Sequence, residues 1–216
     1  MKPGTFITFE GIDGCGKTTQ IQLARTFLEK QGNQVITTLE PGGTDIGIQI
    51  RKILLNQKNQ SLGQESEMLL YLADRIQHLN EVILPALEKG TLVICDRFHD
   101  STVAYQGFGR GLDLKLIRSI EEKAITPHAP FLTFLLDIEP KLALKRTEEK
   151  YDKRNQQDRL EQESIDFFER IKLGYQQLAE VSPDRFVCLD GSKSKEQIHQ
   201  QVIETLETRL SERKSF

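Results

Sequence analysis

The sequence predicts an α/β fold with a five-stranded parallel sheet flanked by helices, and three observations lead to this prediction. Short apolar segments rich in β-forming residues alternate with longer helical segments along the chain. Two of these segments, VIC and FLTFLL, are continuously apolar, as expected for strands buried on both faces. A glycine-rich turn follows the first apolar segment and precedes a helix. The length of 216 residues fits one domain spanning residues 1–216.

The predicted strands are short, apolar, and rich in β-branched or aromatic residues. They are Thr5–Glu10, Gln34–Glu40, Thr91–Asp96, Phe131–Asp137 and Arg185–Asp190. The first predicted helix runs from Thr18 to Gln31, where Gly32 supplies a stop signal. A longer helical region covers about residues 65–89, and Pro85 is expected to kink or restart it. Its apolar stripe is expected to form core or subunit contacts and consists of Leu69, Leu72, Ile76, Leu79 and Ile83.

Composition and charge exclude several classes of protein. Hydrophobic residues make up 38% of the chain and charged residues 28%, and the net charge of −3 gives no indication of a nucleic-acid partner. The longest apolar runs, Leu92–Cys95 and Phe131–Leu136, are too short to span a bilayer. Three dispersed cysteines suggest reduced thiols and a cytoplasmic location. Of these, Cys95 and Cys188 are expected to be core residues.

The segment Gly11–Thr18 matches the phosphate-binding pattern G-x-x-x-x-G-K-[ST]. Its glycines allow positive φ angles, and its backbone N–H groups at a helix N-terminus can face an anion. Lys17 is expected to reach the outer phosphates of a nucleotide, and the Thr18 hydroxyl to hold Mg²⁺. Cys15, inside the loop, has two interpretations: a thiol whose pKa the helix terminus lowers, or a small filler.

Two residues at the end of the third predicted strand are candidates for a catalytic site. Asp96 ends an apolar strand, so its carboxylate can hold Mg²⁺ at the carboxyl edge of the sheet. Arg97 follows directly, and its guanidinium suits a phosphate monoester. The alternative is an Asp that caps the next helix and an Arg in a surface ion pair.

Two weaker signals lie between these segments. The turn EPGGT follows the second strand, and Arg51, two helical turns later, could point back and contact a phosphate. Tyr71 and Arg75 lie four residues apart on one helix face. They could stack on a base and donate to its carbonyl group. The alternative is a tyrosine at the edge of the core and a solvated arginine.

Taken together, these segments resemble the thymidylate kinase family. The matching segments are FEGIDGCGKTTQ, EPGGT with Arg51, YLADR, DRFHDSTVAYQGFGRG and DRLEQES, in the order and with the separations found in the family. The resemblance covers essentially the whole chain. It implies a P-loop nucleoside monophosphate kinase fold with a short lid, and phosphorylation of dTMP to dTDP with ATP and Mg²⁺. It also implies a homodimer formed through long helices.

The resemblance further implies roles for individual residues. The expected ATP-binding residues are Gly11, Ile12, Asp13, Gly14, Cys15, Gly16, Lys17, Thr18, Thr19 and Arg146, with Asp190–Lys195 on the adenine side. The expected dTMP-binding residues are Asp13, Arg51, Tyr71, Arg75, Arg97, Ser101, Thr102, Tyr105 and Gln106. Thr18 and Asp96 are the expected metal ligands.

The expected lid spans about residues 146–160, in a segment with dense charge and few apolar residues. A solvated helix face or a disordered loop is the alternative interpretation of this segment. Some members of the family carry an arginine in the phosphate loop, where this chain has Gly14, and others supply it from the lid. The resemblance therefore implies that Arg154 or Arg159 is catalytic, together with Lys17, Asp13 and Arg97.

Other nucleotide-binding proteins were weighed against this interpretation. A kinase for a different acceptor shares the phosphate loop, although paired arginines favour a phosphorylated acceptor. A GTP-dependent switch would carry the guanine-reading pattern N-K-x-D, which the sequence lacks. A nucleic-acid-dependent ATPase would show a basic track with aromatic residues, which the charge balance does not indicate.

Overall fold

The structure, a computed structural model, describes residues 4–150 and 158–214 and contains a five-stranded parallel sheet. The strands are β1 (Phe6–Glu10), β2 (Val35–Leu39), β3 (Leu92–Asp96), β4 (Leu132–Asp137) and β5 (Phe186–Asp190). Their order in the sheet is β2-β3-β1-β4-β5, and all neighbouring pairs are parallel. Each strand lies within the bounds predicted from the sequence, so the predicted fold class is confirmed.

The helices connect and cover the strands on both faces of the sheet. They are α1 (Lys17–Lys30), α2 (Asp45–Leu55), α3 (Gln64–His78), α4 (Leu84–Glu88), α5 (His99–Thr102), α6 (Leu114–Ala124), α7 (Pro140–Lys150), α8 (Ile165–Val181) and α9 (Lys195–Lys214). Two π-helical segments, Leu79–Ile83 and Val103–Gly109, continue α3 and α5. Pro85 stands in the first turn of α4, where its missing N–H is tolerated, so the predicted interruption of the long helix is confirmed.

The register of the central strands brings the functional loops to one edge of the sheet. In the β1–β3 pair, Phe9 lies opposite Asp96, and in the β2–β3 pair Leu39 does so. Because all three strands run parallel, the segments that follow them meet at the same carboxyl edge. These segments are the phosphate-binding loop, the EPGGT turn and Arg97.

Two clusters of buried side chains form the core on either side of β1. Ile7 and Phe9 belong to a cluster with apolar residues of α1, α8 and α9. Phe6 belongs to a second cluster with Val93 and apolar residues of α3, including Met68. Alternate residues of one strand point to opposite faces, so β1 holds both layers together.

One prediction about buried residues is wrong, and the predicted stripe on the long helix is divided. Leu72, Leu79 and Ile83 belong to the core, whereas Leu69 is 53% exposed and the neighbouring Met68, at 1% exposure, takes the inward position. The wrong prediction concerns Cys188, which is exposed because β5 is an edge strand and only two of its five residues, Phe186 and Leu189, are buried. Cys95, on β3, is buried as predicted. Within the described ranges, no helix is both long enough and apolar enough to cross a membrane.

Candidate active site

The phosphate-binding loop takes a conformation that only glycine allows at several positions. Gly11, Gly14 and Gly16 have φ angles of 132°, 81° and 107°. A Cβ atom on Gly14 would lie 2.2 Å from the carbonyl oxygen of Ala143, on α7. A side chain at residue 14 is therefore excluded by both backbone and packing, which accounts for the absence of an arginine there.

The lysine and threonine of the loop lie beside the carboxylate that ends β3. The Lys17 ammonium donates to the carbonyl oxygens of Gly11 at 3.0 Å and Ile12 at 3.3 Å. It also lies 4.0 Å from Asp96 Oδ1. The Thr18 hydroxyl donates to Asp96 Oδ2 at 3.2 Å. The structure thus brings together the two residues that the sequence predicts as metal ligands, with a buried cation beside them.

Arg97 points toward the phosphate-binding loop rather than into a surface pair. Its backbone has a φ of 71°, an uncommon conformation for a residue with a side chain. Its Nη2 donates to Asp13 Oδ1 at 2.9 Å and to the Tyr105 hydroxyl at 2.9 Å. Partial burial raises the pKa of Asp13, but Arg97 and Lys17 outweigh this effect and lower it to about 2. Asp13 is therefore ionised at neutral pH and lies between two cations.

A cavity opens beside Arg97. Its lining combines three arginines, three acidic residues, two tyrosines, three other polar residues and three apolar ones. The lining residues are Asp13, Glu40, Pro41, Arg51, Leu55, Tyr71, Arg75, Arg97, Ser101, Thr102, Tyr105, Gln106, Asp158 and Leu160. All of the residues predicted to bind dTMP are among them. Arg51 and Tyr71, for which the local sequence gave only weak evidence, therefore line the same cavity as Arg97.

Arg75 is buried and paired, so the alternative of a solvated arginine is wrong. Its Nε donates to Glu40 Oε2 at 2.6 Å, and its Nη1 donates to the Thr102 hydroxyl. Burial alone would lower the pKa of Arg75, but Glu40 raises it above its ordinary value. His78 Nδ1 lies 2.9 Å from Glu40 Oε1, and its Nε2 lies 2.6 Å from Thr38 Oγ1. This chain of contacts fixes the direction of the Arg75 guanidinium at the cavity wall.

Arg51 and Gln106 are held at the cavity wall by contacts behind them. Arg51 Nη1 donates to the Pro41 carbonyl oxygen at 2.7 Å, so the EPGGT turn orients this arginine. Gln106 Nε2 donates to Glu67 Oε1 at 2.9 Å. Since a carboxylate only accepts hydrogen bonds, Glu67 fixes which end of the Gln106 amide faces away from it.

Two arginines of the predicted lid segment lie within the described residues, and both are engaged in internal contacts. Arg146, on α7, donates to the carbonyl oxygen of Gly191, in the loop predicted to lie on the adenine side. Arg159 is 6% exposed; its Nε donates to the Leu54 carbonyl oxygen at 2.9 Å, and its Nη2 donates to Glu67. Arg159 is not among the residues that line the cavity. Arg154, like residues 151–157 of the predicted lid, lies outside the described residues.

Cys15 behaves as a small buried side chain. It is 1% exposed, and burial raises the pKa of its thiol even though Lys17 opposes this shift. The burial and the raised pKa fit the interpretation of Cys15 as a small filler in the loop. They do not fit a thiol whose pKa the helix terminus lowers.

Sequence reasoning missed several acidic residues that organise the site. Glu10 ends β1 and is fully buried, Glu40 pairs with Arg75, and Glu67 pairs with Arg110 and Arg159. A signal existed for two of them. Glu10 ends an apolar strand as Asp96 does, and Glu67 precedes Tyr71 by four residues and so shares its helix face. Nothing in the local sequence around Glu40 indicates that it is buried.

Three comparisons relate the chain to known proteins. The family model described as "Thymidylate kinase" matches residues 9–202. A thymidylate kinase of Halothermothrix orenii is 49% identical over 199 residues, covering 92% of this chain and 94% of that protein. One of Maridesulfovibrio salexigens is 46% identical over 200 residues, covering 91% and 92%. The crystal structure of thymidylate kinase from Ehrlichia chaffeensis matches with a TM-score of 0.75 and 36% identity, covering 95% of this chain and 99% of that one.

Proposed function

The chain belongs to the thymidylate kinase family, which phosphorylates dTMP to dTDP, and from this premise we propose how its residues act on the two nucleotides. ATP is the phosphoryl donor in this family. The transfer brings two highly charged anions together, so positioning and charge neutralisation supply most of the catalysis. Each residue of the site is therefore assigned to the phosphate or the base that it binds.

Arg97 and Arg51 bind the phosphate of dTMP. The observation that carries this assignment is the position of Asp13 between the two halves of the site. One Asp13 oxygen lies 2.9 Å from Arg97 Nη2 and 3.8 Å from Lys17 Nζ. A single ionised carboxylate thus orients the cation of the acceptor side and the cation of the donor side. Because no proton must leave an already anionic acceptor phosphate, Asp13 acts by orienting charge rather than as a general base.

The opposite end of the cavity binds the thymine base and the sugar. Tyr71 stacks on the base, and Arg75 donates to its O4 oxygen from the position that Glu40 fixes. The sugar and the remaining edge of the base contact Thr102, Tyr105 and Gln106, and Ser101 lies on the side of the phosphate, next to Arg97. Burial of Tyr105, at 5% exposure, supports a role in packing against the deoxyribose.

The donor side consists of the phosphate-binding loop and the loop after β5. Backbone N–H groups of Gly11–Thr19 and the Lys17 ammonium bind the ATP phosphates. Arg146 and the 190–195 loop bind the adenine side. The hydrogen bond from Arg146 to Gly191 supports this pairing, because it joins the two elements that would contact the same ring.

Thr18 and Asp96 hold Mg²⁺. Their hydroxyl and carboxylate oxygens are the donors that Mg²⁺ prefers, and they lie within hydrogen-bond distance of each other. When bound, the ion neutralises charge on the ATP phosphates. The buried group of Glu40, His78 and Cys95 has metal-ligand spacing, but its carboxylate already pairs with Arg75 and its donors include a thiol, so it does not suit Mg²⁺.

Arg154 is the lid arginine that reaches the transferring phosphate, and Arg159 anchors the lid. The contacts of Arg159 with Glu67 and with the end of α2 support this division, because both would have to break before its guanidinium could reach a nucleotide. Gly14 supports a lid arginine in general, since no side chain fits at that position of the loop.

The protein forms a homodimer and is located in the cytoplasm. Leu69 on α3 and Leu116 on α6 are 53% and 47% exposed, which supports these two helices as the contact between subunits. Leu72, Leu79 and Ile117 on the same helical segments belong to the core instead. All three cysteines are free thiols, which supports a reducing compartment.

An ADP-release assay with several acceptors tests the assignment of the cavity. The enzyme is supplied with ATP and, in parallel, with dTMP, dUMP, dCMP, AMP and GMP. We expect the highest kcat/KM with dTMP, because Arg75 donates to a carbonyl oxygen that cytosine replaces with an amino group. Faster turnover of dCMP or AMP would show that the cavity has been assigned to the wrong base.

A further inference from the structure

Glu10 is a fully buried carboxylate that none of the roles above uses. It ends β1, directly before the phosphate-binding loop, and its exposure is 0%. Buried carboxylates need hydrogen-bond partners, and Glu10 has three donors. The Phe98 N–H donates to Oε1 at 2.7 Å, while the hydroxyls of Ser101 and Tyr175 donate to Oε2 at 2.7 and 2.8 Å. All three donors lie next to Arg97 in sequence or in space.

The first contact acts on the backbone of Arg97. The Phe98 N–H belongs to the peptide group that follows Arg97, whose φ of 71° is unfavourable for a residue with a Cβ atom. When Glu10 is ionised, this hydrogen bond is of a kind that is among the stronger ones in proteins. The carboxylate therefore stabilises the peptide orientation that directs the Arg97 side chain toward Asp13.

The other two contacts act on the guanidinium itself. Arg97 Nη1 donates to the Tyr175 hydroxyl oxygen at 3.2 Å and to Ser101 Oγ at 3.4 Å. The two hydroxyl oxygens also lie 2.8 Å from each other, so each hydroxyl can donate either to Glu10 or to the other hydroxyl. An ionised Glu10 attracts both hydrogens, which leaves the oxygen lone pairs for the arginine. Glu10 thus favours Tyr175 and Ser101 as acceptors for Arg97.

We infer that Glu10 is a positioning residue for the acceptor phosphate, acting on Arg97 through the Phe98 peptide and through the hydroxyls of Tyr175 and Ser101. This inference rests on the proposed role of Arg97 as a ligand of the dTMP phosphate. Glu10 touches no substrate. Its effect is confined to ligands that carry a phosphate monoester, because only these need the guanidinium in place.

The difference between dTMP and thymidine tests this inference. Both share the base and the sugar, but thymidine lacks the phosphate. At pH 8, Glu10→Ala is expected to weaken dTMP binding about tenfold, the effect of losing a hydrogen bond to a charged group, while the inhibition constant of thymidine and the KM for ATP stay unchanged. Equal weakening of dTMP and thymidine would overturn the inference, because general damage to the cavity affects both.

Conservative variants separate the two routes. Glu10→Gln keeps one oxygen for the Phe98 N–H, and Tyr175→Phe removes one hydroxyl without changing the buried volume greatly. Both are expected to weaken dTMP binding less than Glu10→Ala, again without a change for thymidine. If Glu10→Ala does not fold, these two variants decide the question by the same comparison. Wild-type affinity for dTMP in both would overturn the inference.

A matched control and a second background complete the test. Thr8→Val changes another fully buried polar side chain of β1, one whose hydroxyl contacts that of Thr133, and its dTMP binding is expected to match wild type. In an Arg97→Ala background, Glu10→Ala is expected to have no further effect, whereas an additional loss would overturn the inference. If Arg97→Ala alone leaves dTMP binding unchanged, the proposed role of Arg97 is wrong and the inference falls with it.

Discussion

Single side chains at the carboxyl edge of the sheet determine the charge distribution of the candidate site. Asp13 stays ionised because Arg97 and Lys17 flank it. Arg97 is 14% exposed, so its charge is only partly screened by water and can act strongly on an incoming phosphate. The acceptor side therefore has a cation whose direction is fixed before the substrate arrives.

The proposed role of Arg97 leads to the first prediction. Arg97→Ala removes a guanidinium that contacts the acceptor phosphate and not ATP. We expect the KM for dTMP to rise by about two orders of magnitude, as for loss of a charged hydrogen-bond partner, with the dissociation constant of ATP unchanged. Steady-state kinetics and calorimetric ATP binding measure the two quantities. Unaltered dTMP kinetics would remove Arg97 from the site.

Glu40 provides a second prediction at this scale, on stability. Glu40→Ala leaves the Arg75 guanidinium buried without its carboxylate, and we expect the free energy of unfolding to fall by about 3–5 kcal/mol. Urea denaturation measures this change. The control is Glu29→Ala, which breaks an exposed pair with Arg25 and should cost about 1 kcal/mol or less. Similar losses in the two variants would contradict the prediction.

At the scale of secondary-structure elements, α7 packs next to Gly14 of the phosphate-binding loop, and the segment after residue 157 lines the cavity beside Arg97. The start of the latter segment is held to α2 by Arg159, whose backbone N–H and Nε donate to the carbonyl oxygens of Leu55 and Leu54. Its side chain also joins Glu67, which binds Arg110 and Gln106. This buried network links the start of that segment to Gln106, which lines the cavity beside Arg97.

The division of roles between the lid arginines is the third prediction. Arg154→Ala should lower kcat by about 10³-fold or more, with no change in the urea midpoint, because a phosphate-binding arginine acts mainly in the transition state. Arg159→Ala should lower the urea midpoint, because it leaves Glu67 with one cation fewer in a buried network. Steady-state kinetics give kcat for both variants, and urea denaturation gives their midpoints. A large loss of kcat only in Arg159→Ala would reverse the assignment.

At the scale of the whole molecule, the buried carboxylate of Glu10 makes stability depend on pH. Burial, and next the charge of Asp100, raise the pKa of Glu10 from 4.5 to about 7. Between pH 4.5 and pH 7 the Glu10 carboxyl group holds its proton in the folded protein but not in the unfolded chain. The contribution of this group to the free energy of unfolding is therefore fully present below pH 4.5 and is lost as the pH rises through 7. The titratable or charged groups that interact with Glu10 are Arg75, Cys95, Arg97, Asp100, Tyr175 and Arg185.

Glu10→Gln removes this titration and is the fourth prediction. The free energy of unfolding of the variant, relative to that of wild type, should rise by about 1–3 kcal/mol from pH 5 to pH 8. The reason is that only wild type must ionise a buried group over this range. Urea denaturation at both pH values measures the difference, and any constant loss from the altered hydrogen bonds cancels. A difference that does not change with pH would contradict the raised pKa.

The proposed subunit contact gives the fifth prediction. Leu69→Lys combined with Leu116→Lys places charges on the exposed faces of α3 and α6, so we expect monomers in sedimentation velocity experiments where wild type is dimeric. Val181→Lys is the control, since Val181 is 76% exposed on α8, away from these faces. A dimeric double variant would exclude these helices as the contact.

The local sequence determined the parts of this protein that depend on neighbouring residues. These parts are the five strands, the phosphate-binding loop Gly11–Thr18 and the acidic residue that ends β3. Each depends on the backbone geometry of a strand or of the loop that follows it, so a few consecutive residues are enough to predict it. The convergence of Arg51, Arg75 and Arg97 on one cavity was expected only from the resemblance to the thymidylate kinase family, because the local sequence around Arg51 and Arg75 left other interpretations open.

The tertiary structure alone decided which charges are buried together. Arg75 meets Glu40 across 35 residues, Arg159 meets Glu67 across 92, and Tyr175 meets Glu10 across 165. It also decided that Leu69 and Cys188 face outward. The physical reason is that a buried ion needs its partner within hydrogen-bond distance, and the packing of helices on the sheet, rather than the sequence around either residue, brings the two into contact.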